Sequence, residues 1–206
     1  MARIVKKPEE RRRELVAAAE ELFRQKQYEN TTMKDIMDKV GISKGAIYHY
    51  FTSKEDLLEA VIDQSVEDYI AAMQQVLDEA EGTGLDKMCA LITAGDVSAD
   101  QEGILEVLHR PGNIGMHTRQ TAQVVSKLAP LYAEAIRQGC EEGIFQTEHP
   151  LACAELLLAG IQFLSDIGFY PWRQEDLARR AMAFPALIEA QLQAPKGAFD
   201  VLLERI

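Results

Sequence analysis

The sequence predicts an all-α fold in which an N-terminal three-helix, helix-turn-helix domain is joined to a larger helical domain, and three observations predict it. Apolar residues recur at the helical period from Pro8 onward. The run "NTTMKDIMDKVGISKGAIYHYFTSKEDLLEAVIDQSV" packs two helix-start signals and a glycine stop into a short stretch. Beyond it there are no alternating Val/Ile/Thr runs and no Asn-Gly hairpins, so nothing signals a strand.

Taken in order, Leu15, Ala18, Ala19, Leu22 and Phe23 form one apolar stripe on a first helix. Pro8 suits its first turn, the opposite face carries Arg11, Arg12, Arg13, Glu20 and Glu21, and the helix ends near Gln27. Thr32 followed by Asp35, and Ser53 followed by Asp56, have capping-box spacing and start helices near Met33 and Lys54. Gly41 closes the first of these because a left-handed cap favours glycine. Ser43 caps a short third helix running to about Tyr50, with Ile36, Val40, Ile42, Ile47 and Phe51 supplying apolar contacts. The helix from Lys54 reaches about Ala80. Further helices are expected over 85–95, 100–110, 117–142, 150–168 and 174–192. No internal repeat or low-complexity tract interrupts them, and the domains are expected at 1–53 and 54–206.

With 206 residues, 47% of them hydrophobic, the chain can bury a core and is not a disordered one. Cys89, Cys140 and Cys153 are widely spaced, which suggests neither a disulfide framework nor a zinc site. The start, "MARIVKKPEERRRE", lacks the apolar run of a secretory signal, and no stretch reaches the roughly 18 uncharged apolar residues of a membrane span. A soluble, cytoplasmic protein with no membrane partner is expected.

Charge is divided along the chain. Residues 1–54 hold 12 Lys and Arg against 8 Asp and Glu, leaving 10 against 25 in the remainder of a chain of net charge −11. A basic head on an acidic body points to a phosphate-bearing partner for the head alone.

The segment "GISKGAIYHYF" fits that partner. A helix-turn-helix lays its second helix in the major groove of duplex DNA, its first residues nearest the bases. Gly45 and Ala46 let that helix start approach closely, and Ser43 and Lys44 bond phosphate or base edges. Tyr48 and His49 lie a turn further on, offering ring contacts to sugars or thymine methyls. Thr31, Thr32 and Lys54 sit at helix N-termini, where an anion is favoured. The competing possibility is a plain helix hairpin with Tyr48 and Tyr50 as half-buried core aromatics and Lys44 in solvent.

The stretch "TTMKDIMDKVGISKGAIYHYFTSKEDLL" closely resembles the N-terminal signature of the TetR family of transcriptional regulators. The resemblance covers about the first quarter of the chain. It implies that Thr32, Lys44, Gly45, Tyr48, His49 and Lys54 fall at DNA-contacting positions and Ile47 and Phe51 at core positions. Met37 departs from the alanine many relatives carry. The resemblance further implies an all-helical homodimer whose larger domain binds a small-molecule effector and so regulates binding to an operator, most often as a repressor.

In the larger domain the residues argue for themselves. Residues 150–168 are apolar nearly all round, so this helix needs cover on more than one face. Leu151, Ala154, Leu158, Gly160 and Ile161, with Phe184 and Ile188 of the next helix, are the candidate dimer surface; burial wholly within one subunit is the alternative. Pro185 is expected to kink or end its helix. Met88, Leu105, Leu108, Met116, Tyr132, Phe163 and Trp172 are candidate walls of an effector cavity, with His109, His117 and Arg119 as polar anchors; ordinary core positions are the alternative. With no third ligand at a sensible spacing from His109 and His117, no metal and no cofactor is expected. A helical enzyme using His109 or His117 beside Cys140 or Glu106 finds no nucleophile motif, phosphate loop or metal triad in support. An adaptor whose basic head binds an acidic protein is the third alternative.

Overall fold

Helix ends in this chain are set by local backbone chemistry. The computed structural model describes residues 7–95 and 107–205. It contains α1 (Pro8–Lys26), α2 (Met33–Val40), α3 (Lys44–Tyr50), α4 (Lys54–Glu79), α5 (Gly84–Ala94), α6 (Ile114–Glu141), α7 (Pro150–Ser165) and α8 (Gln174–Leu192). Short 3-10 turns occupy Pro111–Asn113 and Asp200–Arg205, and no strand occurs among the described residues. The helix expected over 100–110 lies largely outside the described residues.

The caps behave as their chemistry requires. Thr32 Oγ1 accepts the Asp35 N–H (3.2 Å) while the Asp35 carboxylate accepts the Thr32 N–H (2.8 Å). Gly41 takes φ +71° and donates its N–H to the Met37 carbonyl (2.8 Å). Ser53 Oγ accepts the Asp56 N–H (3.0 Å), but the returning bond to Asp56 comes from the Thr52 N–H (2.8 Å), one residue earlier than the capping box predicts. Ser43 occupies the N-cap of α3 without a side-chain capping bond, so its exposed hydroxyl is not what starts that helix. Thr83 and Asp86 cap α5 reciprocally.

The chain divides into two compact units, Met1–Glu67 with Ala99–Met116 and Asp68–Ser98 with His117–Ile206. The first is therefore larger than the 1–53 expected from sequence. Its core joins Leu15, Ala19 and Phe23 of α1 and Ile36 and Ile47 of the helix pair to Leu57, Leu58, Val61 and Ile62 of α4, and takes in Val107 and Leu108. Ser53 marks where a helix begins; the apolar face of that helix is still needed to cover α1.

In the second unit α5 meets α6 through glycine. A methyl group at Gly84 would overlap the backbone of Ala135 and Gly139, and one at Gly139 would overlap the Phe145 ring. Phe145 in turn stacks on Phe199 (centroids 6.1 Å apart), which is fully buried. α7 and α8 pack together through Ala154, Leu157, Leu158, Ile188 and Leu192. Their hairpin is tied by Gln191 Nε2 donating to the Cys153 carbonyl (3.0 Å), and the Gln146 N–H donates to the Leu192 carbonyl (2.8 Å). α8 runs on through Pro185 to Leu192, so the proline does not end it: its ring is buried in the packing, which offsets the lost hydrogen bond. All three cysteines are free thiols. None of the described helices is long and apolar enough to cross a membrane.

Because α6 has no room beside Phe145, Gly139→Ala should lower the free energy of unfolding by about 1–3 kcal/mol, read from urea denaturation curves of variant and parent.

Candidate nucleic-acid interface

The surface of α3 is sorted by the helical period. Ile47 is fully buried and Tyr50 packs against the core cluster, while Lys44, Gly45, Tyr48 and His49 share the exposed face. The hairpin alternative made Tyr48 a half-buried core aromatic; it is 42% exposed, with the Lys44 ammonium 5.8 Å from its ring centroid. His49 touches Tyr50 edge to face (5.2 Å), and Ala46 is partly buried at the base of the face.

Gly45 is informative because the fold does not require it. A methyl group there would meet no atom within 4 Å, and its φ is not in the left-handed region. Glycine inside a helix costs about 0.5–1 kcal/mol relative to alanine. The packing within the protomer therefore gives no reason for glycine at this position.

The remaining candidates divide into contacts and braces. Thr32 is exposed at the N-terminus of α2. Thr31 is 1% exposed, and its hydroxyl donates to the carbonyls of Gln27 (2.9 Å) and Leu22 (3.3 Å), closing the C-terminus of α1. Its own N–H donates to the Tyr28 carbonyl, so Thr31 has nothing to offer a phosphate and is a structural residue. Lys54 Nζ donates to the carbonyls of Tyr28 (2.9 Å) and Thr31 (3.0 Å) and lies 4.1 Å from the Tyr28 ring centroid. With two of its three N–H donors so committed, Lys54 is first a brace between α4 and the α1–α2 turn. Burial, with the neighbouring Glu55 carboxylate, pushes the Tyr28 phenol up to about 12.

Much of the head's positive charge is matched locally. Lys26 pairs with Asp35 (3.0 Å), Lys39 with Glu21 (2.7 Å) and Arg11 with Glu14 (2.6 Å). The Thr32 hydroxyl, the Lys26 ammonium and the Thr32 N–H hold the Asp35 carboxyl well below the usual range.

The candidate dimer residues separate cleanly. Ala154, Leu158 and Ile188 are buried within the subunit's own core and cannot form an outer surface. Gly160, Ile161 and Phe184 are half-buried, and Leu151 is exposed. Other apolar side chains of α7 and α8 are exposed: Leu156 (71% exposed), Phe163, Met182 and Leu187, none of them among the dimer candidates read from sequence.

The effector candidates scatter as well. Leu105 lies outside the described residues. Leu108 is core of the first unit, and Met116 packs against that core. His109, also in the first unit, is half-buried. Arg119 and Phe163 are exposed, and the Phe163 ring meets that of Phe169 (5.2 Å). Met88 and Tyr132 are buried, and burial raises the Tyr132 phenol above its ordinary range. His117 is 1% exposed, its Nε2 2.8 Å from Asp166 Oδ2 and its ring stacked on Phe169 (4.3 Å). Trp172 lies under the Arg180 guanidinium (3.8 Å), which donates to the Leu164 carbonyl (2.9 Å). Asp166 and Arg180 escaped notice because their partners are far away in sequence or in another element.

Residues 15–61 match the family model for bacterial regulatory proteins of the tetR family, and residues 96–187 match a tetracyclin repressor-like C-terminal domain. The chain is 37% identical over 87 residues to the transcriptional repressor KstR2 of Mycolicibacterium smegmatis, a match spanning 42% of either chain and so less than half the length of that relative. It is 30% identical over 105 residues to the transcriptional regulator TtgR of Pseudomonas putida, covering 49% of this chain and 50% of the other. Its fold matches that of a TetR-family transcriptional regulator from Pectobacterium atrosepticum with a TM-score of 0.66, over 91% of this chain and 97% of that one, at 24% identity.

Asp35 binds its proton more weakly in the folded than in the unfolded chain, so its contribution is present at neutral pH and lost as pH falls through the carboxylate range. Asp35→Asn should therefore lower the melting temperature at about pH 7, and the gap from the parent should close as the pH of the melt is lowered toward about 2.

Proposed function

This chain belongs to the TetR family of transcriptional regulators, and we propose that it acts in the cytoplasm as a repressor, binding a near-palindromic operator as a homodimer and released or modulated by a small-molecule effector. The family is one of regulators, not enzymes, which supports this reading over the helical-enzyme alternative. The observation that carries the proposal is the exposed face of α3, where Lys44, Tyr48 and His49 surround a glycine that nothing inside the protein calls for. Ser43 and Thr32 stand at two adjacent helix N-termini, where the Ser43 hydroxyl makes no capping bond and suits phosphate, while the Thr32 hydroxyl already donates to Asp35 (2.6 Å). Ala46 adds a small side chain at the helix start.

Dimerisation is supported by the apolar side chains that α7 and α8 leave exposed. Leu156, Phe163, Met182 and Leu187 are exposed apolar side chains of these helices, and a second copy would cover them in a four-helix arrangement about a twofold axis. A symmetric pair of heads then reads half-sites about 34 Å apart. The effector would be received in the second unit, where the buried His117, paired with the half-buried Asp166 and stacked on Phe169, combines an apolar wall with a polar anchor. An effector that binds better to one spacing of the heads must lower operator affinity by the same factor by which operator lowers its own.

Selection of duplexes from a random DNA library should enrich an inverted repeat whose affinity falls steeply with salt. Tyr48→Ala should weaken that binding at least about tenfold, and Gly45→Ala should weaken it while leaving the melting temperature unchanged or raised. Failure to enrich any duplex with ligand-free, refolded protein would sink the proposal.

Replacing Leu156 by Glu, alone and with Met182→Glu, should shift the sedimentation coefficient from dimer to monomer without loss of helicity. An unchanged dimer would place the interface elsewhere.

A further inference from the structure

The turn between α1 and α2 is gripped from two directions. From α4, Lys54 holds the carbonyls of Tyr28 and Thr31. From the segment that leads into α6, Arg110 pairs through Nη1 with Glu29 Oε1, between those two carbonyls in sequence. That segment is itself fixed to the head. Val107 and Leu108 are buried in its core, Asn113 Nδ2 donates to the Val107 carbonyl (2.8 Å), and the Asn113 N–H donates to the Arg110 carbonyl (2.8 Å). Three residues beyond Glu29 stands Thr32, the N-cap of α2.

We propose that Arg110 and Glu29 are positioning residues for DNA binding: their ion pair sets the α1–α2 turn, and through it the N-terminus of α2, at the angle at which the head meets phosphate. The inference rests on the regulator reading above. Arg110 lies far from the helix-turn-helix in sequence, and Glu29 is an acid on a DNA-binding head, so no motif would select either one.

The acidic sign of Glu29 makes a sharp test possible. An exposed carboxylate close to a DNA interface repels phosphate, so removing one with no positioning role should leave affinity equal or higher. A positioning role requires the opposite. Operator recovered with the parent protein would be titrated at several salt concentrations with Glu29→Ala, Arg110→Ala, the double alanine variant, and the exchanged pair Glu29→Arg with Arg110→Glu, each checked by thermal melting. Glu29→Ala should bind about fivefold more weakly, as expected for loss of one surface ion pair, with the parent's salt slope. The double alanine variant should be no weaker than either single one, and the exchanged pair should recover parental affinity.

Equal or tighter binding by Glu29→Ala overturns the inference while leaving the regulator reading intact. Loss of about one unit of salt slope in Arg110→Ala, with Glu29→Ala neutral, also overturns it, by making Arg110 a direct phosphate contact. A parent that enriches no duplex overturns the regulator reading and this inference with it.

Discussion

The placement of the reading surface depends on how the polypeptide closes the turn between α1 and α2. A helix C-terminus leaves carbonyls without intrahelical partners, and here they point into the head rather than into water. The buried Thr31 hydroxyl meets those of Leu22 and Gln27, and the Lys54 ammonium meets those of Tyr28 and Thr31. Drawing an ammonium partly out of water is tolerable because two carbonyl dipoles and the face of the Tyr28 ring replace part of its hydration. One small polar cluster thereby locks α1, α2 and α4 together, and α3 is carried on that frame by Ile47 and Phe51.

The same cluster shows why Thr31 and Lys54 read from sequence as DNA contacts. Both lie beside helix N-termini, and a hydroxyl and an ammonium there have the right chemistry for phosphate. Sequence spacing reports that a group is near a helix end; it does not report whether a carbonyl from another turn reaches it first. Where the partner is local, reading by spacing succeeded, as in the Thr32–Asp35 box and the Gly41 stop. On α3, with Ile47 inward, the period of 3.6 leaves Lys44, Tyr48 and His49 outward.

In the larger unit the legible quantity was how much of a helix must be covered, not by what. α7 is apolar nearly all round, and its inward side, set by Ala154, Leu157 and Leu158, differs from its outward side at Leu156 and Phe163 only through packing partners in other elements. An all-round apolar helix has no polar stripe to fix its rotation, so the choice of Ala154 and Leu158 as outer residues came from the wrong side of the helix. The domain boundary failed for a related reason. Ser53 caps α4, but Leu57, Leu58, Val61 and Ile62 continue the head's core beyond it, so a helix start and a domain edge are different events.

The division of charge also takes on a different meaning once the pairs are known. The head's basic excess is not a uniform patch, because Lys26, Lys39 and Arg11 face acids of their own. What remains on the reading face is sparse, and a sparse face must gain its affinity from close approach rather than from a broad field. Close approach is what the missing side chain at Gly45 permits, in a helix that alanine would have served better for stability alone. A short helix can accept that loss because its stability comes from Ile47 and the neighbouring core rather than from its own propensity. The acidic remainder of the chain is itself disfavoured beside phosphate, so charge leaves the head as the part suited to a polyanion.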